Sequence, residues 1–210
     1  MQETKAAKRI GWTMAVGFLS VVALATVTVG SSTSAQEAYA PKFTPDGQLI
    51  RPEKPIWRDW PYVGAIVTPN ELNDGEAPFP EFHSVYIDPE SWRHWRETGT
   101  FREGTVLAKE LATVLDQDAH PDGSTEQTSG RGYFMGGFSG FEITMKSKRL
   151  FPDEPGYWAY FSFGHHAPPY AETAKKAPAE ACNACHEVAA EDDFVFTQFY
   201  PVLSAAKAMK

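Results

Sequence analysis

Cysteine is almost missing from this chain: its 210 residues include two, Cys182 and Cys185, and thiols three positions apart cannot staple a disulfide scaffold. Basic clusters are missing as well. No run of Lys and Arg occurs beyond the first ten residues, and 19 basic against 27 acidic residues give a formal charge of −8. This balance excludes nucleic acid as the main partner, because phosphate neutralisation needs clustered positive charge. The glycines between Gly130 and Gly140 are not followed by a Gly-Lys-Ser/Thr ending, so they read as hairpin or bulge residues and not as a phosphate cradle. No internal repeat is present. What the chain does have is apolar material, 42% hydrophobic and 13% aromatic, enough for the core of one domain.

The N-terminus reads as an address. Lys5, Lys8 and Arg9 precede the uncharged stretch Ile10 to Val29, which runs into Gly30, Ser31, Ser32, Thr33, Ser34 and Ala35. This is the pattern of a secretory signal peptide, residues 1–35, cut after Ala35. A retained anchor competes, since the stretch approaches the ~20 residues that span a bilayer. The run is diluted by Gly11, Thr13, Gly17, Ser20, Thr26 and Thr28 and ends in small residues, not a basic stop. The expectation is an exported, periplasmic protein with no membrane attachment after cleavage.

Residues 36–55 carry Pro41, Pro45, Asp46, Gly47, Pro52 and Pro55 without a sustained period and are expected to form an extended arm, followed by one domain over 56–210. Trp57 to Gly75, ending in the turn-rich Thr68 to Gly75, reads as a loop. Phe82 to Ile87 reads as a strand. Asp88 stands at an N-cap, Pro89 at the first helical position and Gly99 just past the end, which predicts a short helix over 89–98 with Trp92 and Trp95 on its buried face. Glu142, Thr144 and Lys146 alternate with Phe141, Ile143 and Met145, the pattern of a strand with one wet face. Tyr157 to Phe163 is apolar on both parities and reads as a strand covered on both sides. Pro168 to Pro178 reads as a linker, and Ala179 to Ala190 as a helix. The fold class expected is α+β: a predominantly antiparallel β-sheet, a few short helices and a C-terminal helix around both cysteines.

That last helix carries the one sharp chemical signal, Cys182-Asn183-Ala184-Cys185-His186. Two thiols three apart share a helical face and can form thioethers to one haem, with the adjacent imidazole beneath the iron. A zinc site needs two more ligands than this motif supplies, and a thioredoxin-like pair belongs after the first strand of a βαβ unit. The expected cofactor is one haem c per chain, with His186 as the metal ligand. Met135, Met145, Met209, His83, His94, His120, His165 and His166 are all nominal sixth ligands, and spacing does not choose among them or an open position.

Lys109 lies in Thr105-Val106-Leu107-Ala108-Lys109-Glu110-Leu111. In a strand it shares a face with Leu107 and Leu111, where an ammonium is costly and a neutral, nucleophilic amine is favoured. In a helix it is an ordinary solvated residue. Periodicity allows both.

Over about Trp57 to Leu203 the chain resembles the cytochrome P-460 family. The likeness rests on the Lys109 segment, the C-terminal haem motif, TPNELNDG at Thr68 to Gly75, VYIDPES at Val85 to Ser91, GYF at Gly132 to Phe134 and VFTQFYPVL at Val195 to Leu203. The resemblance implies a homodimer holding a c-type haem, with His186 proximal and the distal side open. It also implies a covalent bond from the Lys109 amine to the haem edge, hence a strand at Lys109. The implied activity is oxidation of hydroxylamine to nitrous oxide or nitric oxide-level products, with electrons passed to a c-type cytochrome. Proton removal needs a distal base, for which Glu172 is the candidate. Where some relatives carry a distal arginine, this chain has His83. Phe79 and Phe82 are the expected pocket walls. The alternative implied by likeness to cytochromes c′-beta is a protein that binds nitric oxide or carbon monoxide without turnover.

Overall fold

The structure is a computed structural model that describes residues 39–209. The signal-peptide expectation lies outside the described residues. In chain order the elements are β1 (Lys42–Phe43), β2 (Leu49–Ile50), β3 (Tyr62–Val67), β4 (Glu81–Ile87), α1 (Pro89–Thr98), β5 (Val106–Val114), β6 (Thr125–Gln127), β7 (Gly130–Gly132), β8 (Met135–Lys146), β9 (Trp158–Ser162), β10 (Thr173–Ala174), α2 (Asn183–Ala189) and α3 (Pro201–Ala208). The described chain is α+β and mostly antiparallel: a five-stranded sheet in the order β3-β4-β5-β8-β9, a small sheet β1-β2-β10, and the β6-β7 hairpin. Among the described residues no helix is long and apolar enough to cross a membrane.

The main sheet has two covered faces, and the register assigns each residue to one of them. Tyr86, Ala108 and Ile143 are in line across β4, β5 and β8, as are Phe82 with Ala112 and Glu110 with Phe141. This face packs on Trp57, Trp60, Phe163 and Tyr170. Trp57 stacks on Phe141 with ring centroids 3.9 Å apart, a contact typically worth about 1 kcal/mol beyond its burial. The opposite face aligns Val85 with Lys109 and Glu142, and His83 with Leu111. Its upper part packs Val85, Ile87, Leu107 and Trp158 on Trp95, Phe101, Tyr200 and Leu203.

The described part of the expected extended arm, residues 39–55, packs against the domain. Tyr39 packs on Trp60 with ring centroids 5.3 Å apart, Leu49 is fully buried, and β2 pairs with both β1 and β10. The Pro and Gly residues that suppress any period in this stretch are its turns, and two-residue strands are too short to show alternation. The linker over 168–178 contributes β10 to the same small sheet.

Helix α1 begins and ends where its residues dictate. The Asp88 carboxylate accepts from Ser91 N–H at 2.9 Å, Pro89 opens the helix, and Gly99 closes it in the left-handed region at φ 72°. The second Asp88 oxygen accepts from Val106 N–H at 2.9 Å, so one carboxylate caps α1 and anchors the start of β5. Trp95 Nε1 donates to Leu203 O at 3.0 Å, which ties α1 to α3. Gly64 makes room for the start of α3: a Cβ there would lie 3.1 Å from Pro201 Cδ and 3.3 Å from Tyr200 Cα.

Candidate functional site

Lys109 is in the middle of β5, opposite Val85 on β4 and Glu142 on β8. The strand alternative therefore holds, with Leu107 and Leu111 on its face. Between them the amine has a partner: Nζ is 2.6 Å from Glu142 Oε2, and both side chains are about a quarter exposed, at 25% and 23%. It also stands 5.0 Å above the centre of the Phe79 ring, a cation–π contact. The wet parity of β8 is thus wet because it faces a cavity of about 430 Å³ lined by Lys109, Glu142, Tyr160, Cys182, Cys185 and His186, among others.

The cysteine motif reaches this cavity from the C-terminal side. Asn183, the first residue between the cysteines, is buried and donates through Nδ2 to Trp158 O at 2.9 Å and Pro155 O at 3.3 Å. These bonds pin the start of α2 to β9. Helix α2 is shorter than the expected span over 179–190, because residues 179–182 form turns before it. Both cysteines are free thiols, and burial pushes the Cys182 thiol up. His186 Nδ1 donates to Phe194 O at 2.7 Å, which fixes the tautomer and leaves Nε2 with its lone pair. Its ring lies between Tyr160 and Phe196, with centroids 4.7 and 4.6 Å away. Burial in this sandwich holds the imidazole below its usual range, which suits a neutral metal ligand.

His83, on β4, lines the same cavity and is 8% exposed. Its Nε2 donates to Phe79 O at 3.3 Å. Burial first, then the charge of Lys109, holds it below the usual imidazole range. Phe79 is at the mouth, 41% exposed, edge-on to His83 at 5.7 Å. Ile66, Thr68, Asn73 and Pro78 complete this rim, so the TPNELNDG loop contributes directly to the opening.

Two expected site residues are elsewhere. Phe82 is on the other face of β4, in register with Ala112 and Val67, because side chains alternate along a strand and its neighbour His83 points into the cavity. It is not a pocket wall. Glu172 is exposed in the segment before β10, where its carbonyl accepts from Arg51 N–H at 2.8 Å, and it does not line the cavity. The carboxylate present in the cavity is Glu142. Its signal was the alternation that marks a wet face, together with an apolar chain around it, but the partner strand that makes that face a cavity was not visible in local sequence. Tyr160 was missed for a related reason. It sits in a strand buried on both parities, and its hydroxyl lies inside, buried and without a protein hydrogen-bond partner.

The family model for Cytochrome P460 matches residues 55–197, well over half of the chain. The chain belongs to the cytochrome P460 family. As a member of that family it is a c-type haem protein, and the family is known for haem-dependent oxidoreductase activity. None of the curated proteins compared with the chain matches it.

The residues present fit a haem. Two unpaired thiols and an imidazole with a fixed tautomer converge on one largely apolar cavity whose size is in the range of cofactor pockets. The buried Tyr160 hydroxyl, without a protein partner, adds a polar group facing the same space.

Proposed function

We propose that the protein oxidises hydroxylamine at a haem held by thioethers to Cys182 and Cys185, ligated by His186 and bonded at its edge to the Lys109 amine. The observation that carries this reading is the meeting of Lys109 and Glu142, 2.6 Å apart, with the cysteine motif around one cavity. The haem, when bound, supplies the redox chemistry, accepting electrons that leave for a c-type cytochrome.

The chain's own residues have distinct tasks. Glu142 is positioned to take a proton from the Lys109 ammonium, which turns it into a nucleophilic amine, and afterwards from hydroxylamine as general base. His83, kept neutral by burial, is the second proton acceptor on the cavity wall. Phe79 and Ile66 narrow the mouth, which favours a small substrate. The Phe194 carbonyl orients His186. Conversion of two hydroxylamine molecules to one nitrous oxide and one water releases four protons and four electrons. The site must therefore export protons as well as electrons. Export to the periplasm, signal cleavage after Ala35 and assembly as a homodimer belong to the same reading.

One observation favours a second reading. Phe79 caps the mouth of the cavity with an aromatic ring, as expected of a cytochrome c′-beta-like binder of nitric oxide or carbon monoxide. A visible spectrum of the reduced holoprotein separates the two. A strongly red-shifted Soret band with hydroxylamine-dependent reduction of a cytochrome is the expected result. An ordinary five-coordinate c-type band without turnover establishes the gas binder instead.

A further inference from the structure

Glu81 opens β4 two residues before His83, so the two side chains leave the same face of the strand about 7 Å apart. The carboxylate is almost wholly inside, 9% exposed. One oxygen is hydrogen-bonded to His165 Nε2, and the other, Oε2, is buried with no protein partner. A half-satisfied buried carboxylate is costly and calls for a reason. Its surroundings supply one. On one side is His83, whose ring borders the cavity and feels the charges of Lys109, Glu81 and Glu142. On the other is His165, 44% exposed, its ring stacked on Phe79 at 6.1 Å. Beyond lies a second hollow of about 250 Å³, which Glu81 lines together with Glu71 and Asp116. Glu81 thus stands between an imidazole on the cavity wall and an imidazole in water, with acidic groups outside.

We propose that Glu81 and His165, with His83 as the member on the cavity side, form the proton outlet of this site. The proposal rests on the hydroxylamine reading for its purpose, since that reaction must discharge four protons. The Nε2–H bond of His83 to Phe79 O leaves Nδ1 free to accept. A proton taken at Nδ1 makes the ring an imidazolium, which returns it from Nδ1 to Glu81 through water, so the Nε2–H bond to Phe79 O is kept and the ring ends as it began. Glu81 passes it to His165, and the exposed ring gives it to solvent. No group changes its charge over a complete passage, and no oxidant or reductant takes part. Glu81 and His165 touch neither substrate nor haem, so they are positioning and relay residues, not catalytic ones.

The test uses the ferric holoprotein and cyanide, which arrives as HCN and must shed a proton on binding. Stopped-flow binding rates are compared with those of carbon monoxide to the ferrous form, which sheds none. Glu81→Gln is expected to slow cyanide binding about tenfold or more, leave carbon monoxide binding unchanged, and recover on addition of 2,6-lutidine, a proton carrier too hindered to ligate iron. His165→Gln, at an exposed ring, should act in the same direction, and it carries the test if the buried variant does not fold. An unchanged cyanide rate, an equal slowing of carbon monoxide, or no recovery with 2,6-lutidine overturns the outlet. The effect on cyanide together with a wild-type protein that never turns over hydroxylamine upholds the outlet and removes the hydroxylamine reading.

Discussion

Lys109 and Glu110 are neighbours on β5, and each is half of a cation–carboxylate pair, but they face opposite ways. Glu110 is 2% exposed and is met by Arg58 in a fork, Nη2 to Oε1 at 2.7 Å and Nε to Oε2 at 3.1 Å, on the face built from Trp57 and Phe141. Both of its oxygens are used, and Arg58 is further held 4.3 Å over the Phe138 ring. Lys109 has one contact to Glu142, at the wall of a cavity that also holds two free thiols and an imidazole. One sheet thus carries two similar pairs with different consequences. The pair whose hydrogen-bonding capacity is filled stabilises the fold, and the pair with spare capacity in a hollow is free to do chemistry.

This contrast is broken first by changing the cavity pair. Lys109→Leu should keep haem attached through Cys182 and Cys185 but abolish the red-shifted Soret band and nearly all turnover, read from the reduced spectrum and a steady-state assay; an unaltered spectrum removes Lys109 from the chemistry. Glu142→Gln should lower the rate at saturating hydroxylamine about a hundredfold or more, with haem content preserved. Glu172→Gln, on the exposed segment, should leave that rate alone. If the two carboxylate variants behave alike, Glu142 is not the base.

On the other face the effect should be on stability only. Arg58→Met leaves Glu110 buried and unpaired, and about 3 kcal/mol should be lost in a urea titration of the holoprotein. That is the low end for a broken buried pair, because Arg58 itself is partly in water. Its spectrum should not move.

Smaller effects concern His83 and Phe82. Burial lowers the His83 pKa, so the unfolded chain binds the extra proton first as pH falls below about 6.5. The folded state therefore loses stability as pH drops through that window and is unaffected above it. His83→Leu should make this acid limb shallower in melts recorded at several pH values, and a limb unchanged by the substitution would mean that other groups set it. Phe82→Leu should cost about 1 kcal/mol and leave carbon monoxide binding to the reduced haem untouched, whereas Phe79→Leu should accelerate it.

Much of this was legible in the residues. Helix α1 follows from Asp88, Pro89 and Gly99, because caps act within a few positions. The cysteine motif and Lys109 were legible as chemistry, although the strand at Lys109 came from family likeness, not from its own period. What failed was what depends on distant register. Phe82 and His83 are adjacent apolar and polar residues, and only pairing with β5 shows which one points to the cavity. Glu172 is near the cysteines in sequence, while Glu142 reaches the cavity through a strand 40 residues upstream of the motif, in register with Lys109. Strands of two residues have no pattern to read, which hid β1 and β2, and Gly64 and Ala65 broke up the apolar run of β3, a strand inside the expected loop over 57–75.

Hydroxylamine oxidation by this route requires Lys109 to be joined to a haem that Cys182 and Cys185 also hold. Proteolytic digestion of the native holoprotein followed by mass spectrometry of the haem-containing fraction tests it directly. One species is expected, in which the peptide carrying Lys109 and the peptide carrying Cys182 and Cys185 travel together on a single haem. A haem fraction that contains the cysteine peptide alone, with the Lys109 peptide recovered at its unmodified mass, contradicts it.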